Sequence, residues 1–101
     1  MIKVSGYSVF PEDVEALMVR HPAILQCAAI GVPDPKRGEA VKAFVVLRPE
    51  YKGKVSEQEI IDWARDNMAA YKVPREIAFR DALPATSAGK VLRRLLKDDA
   101  A

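Results

Sequence analysis

Two apolar runs, residues 24–32 and 40–47, are divided only by Pro33-Asp34-Pro35 and Lys36-Arg37-Gly38-Glu39, and they constrain this chain more than anything else in it. The first is built from small apolar side chains and the second is rich in valine, so both predict strands, with the prolines stopping the first. Helical patterns flank them. Pro11-Glu12-Asp13 suits a first helical turn, because proline fits there and the two acids complement the positive end of the dipole. Val14, Leu17 and Met18 then recur at helical spacing, and His21-Pro22 ends the element.

Ser56-Glu57-Gln58-Glu59 has the pattern of a capping box, and the helix it opens is predicted to bury Ile60, Ile61, Ala64 and Met68, with Trp63 at its edge. Near the start, residues 4–9 predict a hairpin built around Ser5-Gly6-Tyr7. Residues 71–75 predict a loop, since Val73 precedes Pro74, and residues 77–80 a short strand. Residues 83–89 are small and polar, and Val91, Leu92, Leu95 and Leu96 mark the apolar face of a last helix, with Arg93, Arg94 and Lys97 off it. The expected fold is α+β: a small β-sheet with an N-terminal hairpin and helices packed on the sheet.

At 101 residues the chain is one modest domain. Its net charge of +2 argues for neither nucleic acid nor an anionic membrane, and a nucleic-acid binder read from the basic last helix has little else behind it. The single cysteine, Cys27, excludes an internal disulfide or a cysteine-based zinc site within one chain, and its apolar neighbours predict a small buried hydrophobe. No stretch is long enough to span a bilayer, no signal-peptide pattern opens the chain, and a cytoplasmic setting is the expectation. Met1-Ile2-Lys3-Val4 opens directly on a strand-like run, as expected of a piece of something longer. His21 is expected to act as a cap or surface residue, and no metal site is expected.

Lys90 stands out chemically. It follows Gly89 at a helix start, where a cation faces the positive end of the dipole at a cost of about 0.3–1 kcal/mol. Breaking that local rule marks a candidate for function, although a solvated lysine in a basic turn fits the same pattern. The stretch from Pro84 to Gly89 predicts a flexible carrier that delivers the ammonium to an anion on another surface.

Leu83-Pro84-Ala85-Thr86-Ser87-Ala88-Gly89-Lys90-Val91-Leu92-Arg93-Arg94 resembles the C-terminal signature of the adenylate-forming superfamily, which includes acyl-CoA synthetases, peptide-synthetase adenylation domains and beetle luciferases. Ile2-Lys3-Val4-Ser5-Gly6-Tyr7 with Pro11-Glu12-Asp13-Val14-Glu15, Gly31-Val32-Pro33-Asp34 with Gly38-Glu39 and Ala43-Phe44-Val45-Val46, and Tyr71-Lys72-Val73-Pro74 resemble earlier segments of the same family, in order. The resemblance implies the C-terminal mobile domain, residues 1–101, of a larger two-domain ligase, partnered by its own N-terminal domain. It implies an AMP-forming acyl-CoA synthetase acting on a fatty or aryl acid with ATP, Mg²⁺ and coenzyme A, none of them expected on this chain alone.

Under that resemblance Lys90 stabilises charge in the adenylation step. Lys3 and Gly6 enter the site for thioester formation, with Gly6 letting the pantetheine arm pass close to the backbone. Tyr7, Lys72 and Arg75 contact coenzyme A. Ala85 and Ala88 depart from the residues many relatives carry beside the lysine, which bears on whether a lysine acyltransferase recognises Lys90. The rival readings are an adenylation domain that loads a carrier protein, and a stand-alone interaction module or lysine-acylation substrate.

Overall fold

The computed structural model describes residues 1–83; the expected loop from Pro84, Lys90 and the last helix lie outside the described residues. The described part is a five-stranded sheet with helices on it, the α+β arrangement the sequence predicts. Strands β1 (Ile2–Val4) and β2 (Tyr7–Val9) form the N-terminal hairpin, followed by helix α1 (Pro11–Met18). Strands β3 (Ile24–Asp34) and β4 (Gly38–Leu47) form the long central pair. A 3₁₀ turn (Pro49–Tyr51), helix α2 (Glu57–Asn67) and a second 3₁₀ turn (Ala70–Lys72) lead to β5 (Glu76–Phe79).

The central strands are longer than expected. Their antiparallel register runs on through Pro33↔Glu39 to Asp34↔Gly38, so the prolines do not stop β3 where the sequence predicts. The turn beyond is held by Asp34, whose Oδ1 accepts from the backbone N–H groups of Lys36 (2.8 Å) and Arg37 (3.1 Å). Helix α1 ends at Met18, short of His21-Pro22; His21 N–H donates to the Met18 carbonyl, and His21 Nδ1 accepts from the Ala23 N–H (3.0 Å). Histidine thus caps the turn into β3, as its position predicts.

The apolar runs are explained by burial on both faces. On one face Val41, Ala43, Val45 and Leu47 of β4 pack with Val14 and Met18 of α1 and Ile60 and Ala64 of α2. On the other, Ala28, Ile30 and Phe44 form a second cluster, with Lys42 and Arg80 over the Phe44 ring. The Ser56–Glu59 capping box is present in both directions; Ile61 and Met68 are half-buried rather than buried, and Trp63 is half-buried at the helix edge, as expected.

Strand β4 carries β3 along one edge, while its other edge is shared: β1 pairs antiparallel at Val4↔Gly38, and β5 pairs parallel from Lys42↔Glu76 to Val45↔Phe79. The hairpin and the loop entering β5 therefore meet at the same edge.

Candidate functional site

The hairpin turn has two residues, Ser5 and Gly6, with Tyr7 already in β2 and paired with Val4. Both turn residues have left-handed backbones, φ 50° at Ser5 and 86° at Gly6, matching the primed turn that suits strand twist. Glycine adopts that geometry without strain. Among the described residues a Cβ built at Gly6 meets nothing within 4 Å, so no described neighbour makes a steric demand for glycine there beyond its left-handed backbone. Lys3 is exposed beside it, its Nζ 3.0 Å from Oγ of its cross-strand partner Ser8.

Tyr7 joins the hairpin to the second segment. Its ring stacks on Tyr71 with centroids 4.3 Å apart and planes 7° from parallel. Tyr71 and Lys72, both half-buried, lie in the 3₁₀ turn, and the Arg75 N–H then donates to the Val41 carbonyl (2.9 Å), fixing the start of β5.

A cleft of about 500 Å³ opens beside this loop, lined by Arg37, Arg65 and Arg75 with Gln58, Val73 and Pro74. No carboxylate is among the described residues that line it. Arg65 reaches Asp62 (3.3 Å), but both side chains are mostly exposed and such a pair holds an arginine weakly. Asp34 stands near: its hydrogen bond from Lys36, then that from Arg37, and the charges of Arg37 and Arg75 hold its carboxyl below the usual range. Arg37 also links cleft and hairpin, because its backbone carbonyl accepts from the Ser5 N–H (2.9 Å). Three guanidiniums around one concavity suit phosphate oxygens, and an adjoining aromatic pair suits a flat ring system.

The structure thus brings Lys3, Gly6, Tyr7, Lys72 and Arg75 to one edge of the sheet, and Lys90 lies outside the described residues. Arg37 and Arg65 have no assigned role in the sequence. Arg65 sits on a helix face indistinguishable from solvated charge, and Arg37 in a loop; only the packing of α2 and the loops beside the sheet brings them to one cleft. A larger cleft of about 810 Å³, lined in part by Leu47, Lys52, Phe79 and Arg80, includes no residue of the hairpin or of the Tyr71–Arg75 loop. No group of three His, Cys, Asp or Glu side chains among the described residues is placed to hold a metal, so Mg²⁺ is assigned no ligand here.

Comparison with known proteins places this geometry. Residues 13–90 match the family model for the AMP-binding enzyme C-terminal domain, and this chain belongs to that family. It is 42% identical over 100 residues to a long-chain-fatty-acid–CoA ligase of Escherichia coli O6:H1, covering 99% of this chain and 17% of that protein. It is 45% identical over 98 residues to an acetyl-coenzyme A synthetase of Bacillus subtilis, covering 96% of this chain and 17% of that protein. The crystal structure of a Brucella canis acyl-CoA synthetase superposes with a TM-score of 0.86 at 40% identity, over 97% of this chain and 18% of that one. The chain therefore spans about a sixth of the length of these relatives.

Proposed function

We propose that this chain is the C-terminal mobile domain of an AMP-forming acyl-CoA synthetase. The activated acid belongs to a pocket supplied by the N-terminal domain. The relatives support leaving the acid open: one is named for long-chain fatty acids and another for acetate, at 42% and 45% identity to the same domain.

The observation that carries the reading is the exposed Ser5-Gly6 turn set beside an arginine-lined cleft. Coenzyme A offers the matching chemistry, a phosphorylated nucleotide at one end and a thin pantetheine arm with a thiol at the other. Arg37, Arg65 and Arg75 take the phosphates, Tyr7 and Tyr71 line the approach, and the arm runs past Gly6 toward the acyl-adenylate. Lys3 holds an exposed ammonium beside that path. Lys90 serves the other half-reaction, bringing a compact charge to the carboxylate and the α-phosphoryl group of ATP as they join.

Steady-state kinetics of the complete ligase test the coenzyme A assignment. Arg37→Ala, Arg65→Ala and Arg75→Ala should each raise the KM for coenzyme A by about tenfold, with the KM values for ATP and acid unmoved. The rise should shrink when dephospho-coenzyme A replaces coenzyme A. Unchanged KM in all three variants, or a ligase that ignores free coenzyme A and loads a carrier protein, contradicts the assignment.

A further inference from the structure

In the hairpin, the pairing Val4↔Tyr7 closes the two-residue turn, so Val4 bonds across to β2 and its neighbour Lys3 turns its N–H outward, toward β4. The ladder between β1 and β4 consists of the one pair Val4↔Gly38, and it supplies no backbone carbonyl to Lys3. A side chain fills the gap. Glu39 Oε1 accepts from the Lys3 N–H at 2.9 Å, while the next outward amide, Ser5, donates to the Arg37 carbonyl at 2.9 Å.

Glu39 can reach Lys3 because of Gly31. A Cβ built on Gly31 would lie 2.6 Å from Glu39 Oε2, 3.2 Å from its Cδ and 3.1 Å from Cγ2 of Ile2. Two non-bonded heavy atoms do not sit at 2.6 Å, so a Cβ at residue 31 pushes the end of the Glu39 side chain out of its place. Gly31 has no left-handed φ to explain it. Its lack of a side chain serves the space that Glu39 occupies.

We propose that Glu39, seated against Gly31, is a positioning residue for thioester formation. Its carboxylate fixes the backbone of Lys3 and thereby sets the angle at which the Ser5-Gly6 turn meets the coenzyme A arm. The inference rests on the reading of the hairpin as the element that serves this half-reaction. It adds a residue that touches no substrate and acts through Lys3.

The test follows the half-reactions separately in the complete ligase: ATP–pyrophosphate exchange for adenylation, and single-turnover thioester formation from preformed acyl-adenylate and coenzyme A. Glu39→Ala and Gly31→Ala should slow thioester formation by up to about tenfold, the scale of one hydrogen bond, and leave exchange within about twofold. Glu39→Gln keeps an acceptor oxygen and should restore most of the rate, an outcome that loss of folding would not give. A normal thioester rate in both Glu39→Ala and Gly31→Ala, equal loss in the two half-reactions, or no recovery in Glu39→Gln overturns the proposal. Gly6→Asn, which tolerates the left-handed backbone yet adds bulk at the turn, separates the two levels. Slow thioester formation in Gly6→Asn beside normal rates in the Glu39 and Gly31 variants refutes the positioning role alone. A normal rate in Gly6→Asn refutes the reading of the hairpin itself, and the positioning role with it.

Discussion

Cys27 lies under helix α1, 7% exposed, with the carboxylate of Glu15 near enough to add to the cost of a thiolate. Burial first, and that charge second, push the thiol up to about 12. A thiol with so little thiolate at neutral pH is neither a nucleophile nor a metal ligand. The folded chain should therefore resist alkylation by iodoacetamide at pH 8 and react only when denaturant opens the core; prompt labelling of the native chain contradicts this packing. Glu15 makes the local structure explicit by accepting from the Ala29 N–H (2.8 Å), tying α1 to β3 next to the cysteine. The sequence shows this residue correctly, because an apolar neighbourhood and a lone cysteine are both visible in one dimension. Glu39 is the opposite case. It reads as one charge in a polar loop, and its proposed role exists only through Lys3, far away along the chain, and Gly31 on the neighbouring strand.

Among the elements, those with local signals were legible and those set by pairing were not. Helix α2 is announced by its capping box, with Ser56 Oγ accepting from the Glu59 N–H (3.1 Å) and the Glu59 side chain returning to the Ser56 N–H (3.4 Å). Ser56→Ala should cost about 1 kcal/mol in equilibrium urea unfolding, while Ser56→Asp retains most of the stability. A neutral alanine variant contradicts the cap. The ends of β3 and β4 followed a different rule. Proline signalled a stop, yet the register carries both strands on to Asp34↔Gly38, because ladder pairing and the Asp34 turn outweigh the missing N–H of Pro33. The hairpin was legible as a hairpin, though its turn is Ser5-Gly6, with Tyr7 a strand residue whose ring is committed to Tyr71.

At the scale of the molecule, the sharing of one edge of β4 between β1 and β5 makes a surface that residue order does not suggest. It collects the turn at Gly6, the aromatic pair Tyr7–Tyr71 and the cleft of Arg37, Arg65 and Arg75. The resemblance carried in the sequence implies Lys3, Gly6, Tyr7, Lys72 and Arg75; the proposals made from the architecture add the two other arginines and Glu39. Among the described residues no helix is long and apolar enough to cross a membrane. The proposed division of labour gives one small domain two roles in sequence, an ammonium for making the adenylate and a hairpin edge for consuming it. Separate measurement of the two half-reactions in the complete ligase carrying Lys90→Ala tests that division most directly. Pyrophosphate exchange should fall by about a thousandfold, in the range expected for losing a charge that touches the reacting groups, while thioester formation from preformed adenylate stays near the parental rate. Loss of both half-reactions together, or of neither, contradicts it.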